Sequence, residues 1–169
     1  MIIDIDLWRE ELRRLHAEFA QACAQNDAFA LERSLYYSAL VIRKFSETPF
    51  VARTFLGPVI KTQVFGPAAG SAYGGKWSGR RAQFDLAQGT PGTASLADLC
   101  HILIHSQFLQ WVPAAGVVKQ IFAAGFRAKT EAIGFSPSQY LQLLEHVETH
   151  KFRRLRPKPA RRAECVASS

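Results

Sequence analysis

The chain predicts an α+β fold: an N-terminal helical hairpin and a central apolar helix packed with a small antiparallel sheet, in the order ααββαββα. Three observations point to it. Apolar residues recur at spacings of three and four over two stretches before Pro49, the pattern turns to alternation beyond it, and a capped helical segment precedes a closing run rich in Arg, Lys and Pro. A length of 169 residues suits one domain, expected over residues 1–150, with 151–169 as a basic flexible tail. Hydrophobic residues at 48% against 21% charged exclude wholesale disorder. No apolar run approaches the ~18 residues that span a bilayer.

Residues 7–24 place Trp8, Leu12, Leu15, Phe19 and Cys23 on one helical stripe, with Asp6 as the expected N-cap. A second helix over 28–46 repeats Ala28, Leu31, Leu35, Ser38, Ile42 and Phe45, capped by Asn26 or Asp27. So short a break makes the pair antiparallel. Val59 to Phe65 reads as a strand and Arg81 to Leu86 as a second, alternating one, with a glycine-rich loop over 66–80 between them. Ser95, with Asp98 three residues on, starts a third helix expected to run through Phe108 to Pro113, apolar nearly all round and therefore central. Val117–Ala124 and Phe126–Ile133 flank Gly125 as a β-hairpin, and Ser136-Pro137-Ser138-Gln139 caps a last helix ending near His150.

Charge is unevenly placed. Seven cations against Glu164 give residues 150–169 a net +6 of the formal +7. Arg153, Arg154 and Arg156 lie in this arm, which would bind a phosphate backbone through counterion release; a solubilising terminus or a membrane-surface contact would use the same charge. Acidic residues near the start, where a signal peptide is basic, predict a cytoplasmic protein. Cys23, Cys100 and Cys165 form no CxxC spacing, which argues against a disulfide framework and a structural zinc site.

Gly70 to Lys76 fits the first seven positions of a P-loop, but Trp77 stands where Ser or Thr would bind magnesium and a strand rather than a helix is expected next. The loop instead interleaves Tyr73 and Trp77 with Lys76, Arg80 and Arg81, a mixture that suits single-stranded nucleic acid or an ordinary mobile loop. Asp98, His101 and His105 fall on one stripe at i, i+3 and i+7. They could hold a metal, but no further ligand is identifiable, and neither metal nor cofactor is expected. Either histidine could act as an acid or base, or the stripe is simply the wetted edge of the helix.

Leu99-Cys100-His101-Ile102-Leu103-Ile104-His105-Ser106, taken with Leu31 to Ala39, resembles the HEPN superfamily of small helical proteins, many of them RNA-cleaving toxins or phage-defence effectors. Its signature is Arg, a polar residue, three further residues and His on one helix, in dimers that bring two signatures together. His105 matches the histidine, His101 takes the polar place, and Cys100 replaces the arginine. The resemblance implies an RNA-interacting protein, with cleavage by a metal-independent endoribonuclease mechanism using His105 and His101, and a homodimer. Arg33 and Arg43 could replace the missing arginine if their face meets His105; otherwise they are solvated or paired. The alternative is a non-catalytic protein-interaction module whose tail docks on an acidic partner.

Overall fold

Asp4 and Asp27 begin the two N-terminal helices, α1 (Ile5–Gln25) and α2 (Ala28–Glu47), in the computed structural model, which describes residues 4–48, 53–68, 84–125 and 131–152. The cap of α1 is Asp4 rather than Asp6, because the Asp4 carboxylate reaches the N–H groups of Asp6 and Leu7 at 3.0 and 3.3 Å. Asp6 lies in the first turn and pairs with Arg9. Asn26 adopts the left-handed conformation that closes α1, and Asp27 accepts from Ala30 N–H to open α2. Leu12, Leu15, Phe19 and Cys23 join Leu31, Leu35, Ile42 and Phe45 in one buried cluster, while Ala28 is exposed.

After a short 3-10 turn at Arg53–Leu56 comes a five-stranded antiparallel sheet with order β2-β1-β5-β4-β3. Its strands are β1 (Val59–Phe65), β2 (Thr90–Ser95), β3 (Ser106–Ala114), β4 (Val117–Gly125) and β5 (Ala132–Phe135). Helix α3 (Leu96–Ile104) links β2 to β3, and α4 (Pro137–Thr149) follows β5. The order is therefore ααββαβββα, one strand more than expected.

Two expected elements are corrected. Residues 81–83 of the expected Arg81–Leu86 strand lie outside the described residues, and the remainder is no strand: Phe84 makes a single bridge to Pro67, and Asp85 turns the chain through Ala87 and Gln88 N–H. The strand beside β1 is Thr90–Ser95. Pro91 and Gly92 make it look unlike one, yet it lies at a sheet edge, where a missing N–H leaves no partner strand unpaired. The third helix stops at Ile104 instead of Pro113. His105 is its C-cap, and Ser106–Ala114 leaves as β3, an edge strand paired to β4 around Ala115 and Gly116. Both turn residues have positive φ, 51° and 76°, the twist a two-residue hairpin requires. In the expected second hairpin, residues 126–130 lie outside the described residues, and β5 pairs with β4 through Ile121↔Phe135 and Ala123↔Ile133.

Strand β4 is buried on both faces. Ile121 and Ala123 pack into the cluster formed with the helices, whereas Phe122 and Ala124 join Phe65, Phe84 and Ala132 on the other side. The Phe65 ring is pressed onto Gly134, where an added Cβ would stand 2.7 Å from it. Helix α3 connects the two edge strands across the helical face. Its nine residues span about 13 Å, against roughly 19 Å for four strand spacings, so it lies over the sheet with α2 above it. Leu96, Leu99, Cys100 and Leu103 are consequently buried, and Ala97, Asp98 and His101 face solvent. Tyr140 fastens α4 to α2 through a buried bond to Ser38.

Candidate functional site

The exposed side of α3 and its C-cap carry the three polar residues of the sequence stripe. Ser95 caps the helix by accepting from Asp98 N–H at 3.1 Å, and its hydroxyl donates to the Asp98 carboxylate at 2.6 Å. Asp98 therefore belongs to the helix start. No group of three or more potential metal ligands occurs among the described residues.

His101, on α3, and His105, at its C-cap, have ring centroids 4.8 Å apart. Helix α2 passes beside them and brings Arg43 Nη1 to 3.4 Å from His105 Nε2. Arginine only donates, so His105 Nε2 is the acceptor in this contact. Arg43 Nε donates in turn to Glu47 Oε1 at 2.7 Å, one helical turn on, which steadies the guanidinium while Nη1 faces His105. A pocket of about 180 Å³ opens between α2 and α3, lined by Ile42, Arg43, Ser46, Glu47, Cys100 and His101 among others. Arg33 does not share this place: it pairs with Glu18 of α1 at 2.6 Å.

Cys100 points into the core, where burial pushes its thiol up to about 12 from an ordinary 9.0. It remains a neutral packing group at the position where the resemblance expects a cation. Lys76, Trp77, Arg80 and Arg81 of the glycine loop, with Arg153, Arg154 and Arg156 of the tail, lie outside the described residues. No helix among the described residues is long and apolar enough to cross a membrane.

Sequence reasoning missed Glu47, although its i+4 spacing from Arg43 was a usable signal. It also missed the exposed rings of Phe29, Tyr36 and Tyr37, which lie off the apolar stripe of α2. What the arrangement offers chemically is one fixed cation and two imidazoles on an accessible ledge: a place to hold an anion and move a proton beside it. No family model, curated protein or solved structure matches the chain.

Proposed function

We propose that this protein binds RNA and cleaves it without a metal, as a member of HEPN-like ancestry acting in a cytoplasmic toxin or phage-defence setting. The observation that carries the reading is the 3.4 Å approach of Arg43 to His105, with His101 alongside, which supplies from α2 the cation that Cys100 does not. In this mechanism Arg43 holds a non-bridging phosphate oxygen. His105 Nε2 exchanges its bond from Arg43 for one from the ribose 2′-hydroxyl and takes that proton as the oxygen attacks phosphorus. His101, protonated, gives a proton to the departing 5′-oxygen, leaving a 2′,3′-cyclic phosphate and a 5′-hydroxyl. Positioned acid and base groups contribute about 10²–10⁴-fold each.

Labelled single-stranded RNA incubated with the protein and a chelator tests the reading: His105→Ala should abolish cleavage and leave binding intact. Equal cleavage by both proteins would sink it. The implied homodimer would form through β3, whose outer edge has no partner among the described residues, and light scattering reads its mass.

The buried thiol of Cys100 favours a second reading, the non-catalytic module with an acidic protein partner for its tail. There His101 and His105 would both tolerate replacement, and deletion of 153–169 would remove partner binding.

A further inference from the structure

The outer face of α2 leads away from Arg43 in a way the proton-transfer site does not use. Phe29, Tyr36 and Tyr37 are 74%, 41% and 50% exposed, unusual for three large rings on one helix. Phe29, Tyr36 and Arg43 are seven residues apart, so they share one stripe at steps of about 10 Å. Between this stripe and the start of β3 lies a pocket of about 360 Å³, lined by Glu32, Arg33, Tyr36, Leu103, Ser106 and Leu109 among others, with the Arg33 guanidinium held by Glu18. Leu103 and Ser106 flank His105 in the chain, although His105 itself does not line the pocket.

We propose that this pocket is a nucleobase subsite selective for guanine, with Tyr36 as the stacking plate and Glu32 as the reader of the base edge; it rests on the RNA reading above. The chemistry separates base from phosphate along the stripe. A ring of Tyr and apolar walls from Leu103 and Leu109 suit the face of a heterocycle. Glu32 is exposed, makes no ion pair among the described residues and can only accept hydrogen bonds when ionised. Its charge repels phosphate and attracts N–H donors. Guanine is the one base whose Watson–Crick edge presents two adjacent donors, N1–H and the N2 amine, matching both carboxylate oxygens at once. The phosphate of the same nucleotide or its neighbour then falls toward Arg43, one stripe step away.

Fluorescence anisotropy tests this with short labelled single-stranded RNAs carrying one central G, A, C or U, or inosine, which lacks the N2 amine. The background is His105→Ala, so that no strand is cut. The G oligomer should bind roughly tenfold more tightly than the A oligomer, with inosine between them. Glu32→Gln should erase that preference without weakening U binding, since removing the charge also removes its repulsion of phosphate. Tyr36→Ala should weaken all five alike, with recovery in Tyr36→Phe. RNA binding without a guanine preference, or with a preference that survives Glu32→Gln, overturns the subsite and leaves the RNA reading standing. Absence of binding to any oligomer at low salt overturns both.

Discussion

Replacing Ser38 by Ala probes the buried contact that locks α4 onto α2, the helix that also presents Arg43. Both hydroxyls are fully buried. Tyr140 OH lies 2.8 Å from Ser38 Oγ, and its other acceptor, the Leu35 carbonyl, is a marginal 3.5 Å away. Ser38 Oγ can donate to the carbonyls of Ser34 at 2.5 Å or Leu35 at 3.1 Å, so it accepts from Tyr140. The Ala variant strands the phenol in the core, at about 1–3 kcal/mol, offset by roughly half a kcal/mol from the better helix former. Tyr140→Phe removes the donor itself and leaves Ser38 with its backbone partners, at about 1 kcal/mol or less. Since the double variant has no orphaned hydroxyl, it should be no less stable than Ser38→Ala alone, a coupling of about 1 kcal/mol. Urea unfolding with an unchanged m-value reads all three, each kcal/mol being worth about 2–4 °C in Tm. Additive losses, or a larger loss in Tyr140→Phe than in Ser38→Ala, would refute the reasoning.

Two further outcomes follow from backbone and burial. Ala115 holds φ 51° in the β3–β4 turn, a conformation that Asn adopts more readily, so Ala115→Asn should raise stability by about 0.5–1 kcal/mol, and an unchanged or lower Tm would contradict the turn assignment. Burial keeps the Cys100 thiol neutral to about pH 12 and raises Tyr140 as well, whereas the unfolded chain loses these protons from about pH 9 upward. Stability is therefore full below that point and falls as pH rises, by about 1.4 kcal/mol per pH unit for the thiol alone; urea midpoints that stay flat to pH 11 would contradict it.

The last helix was legible in detail because its signals are local: Ser136 and Gln139 form both bonds of the capping box, and Pro137 starts the first turn. The α1–α2 hairpin was legible for the same reason. Strand β2 was not, since Pro91 and Gly92 are accommodated because its outer side has no partner among the described residues, a fact of sheet order rather than of local sequence. Nor was β3: Phe108, Leu109, Trp111 and Val112 extend the apolar run of α3, and period alone does not distinguish a buried helix from a strand there. Pairing with β4 decides it. The site shows the same division. His101 and His105 are neighbours by helical spacing, while Arg43 reaches them across 62 positions because α3 crosses the sheet beneath α2.

The most direct test of the Arg43–His105 pairing is the rate at which single-stranded RNA acquires 2′,3′-cyclic phosphate ends in the presence of a chelator, measured for the native chain, Arg43→Ala and Arg33→Ala. The account predicts that Arg43→Ala loses about 10²-fold or more, as for removal of a group that stabilises developing charge, whereas Arg33→Ala, whose partner is Glu18 and which lines the base pocket, loses less than about tenfold. Equal rates in the native chain and Arg43→Ala would contradict it.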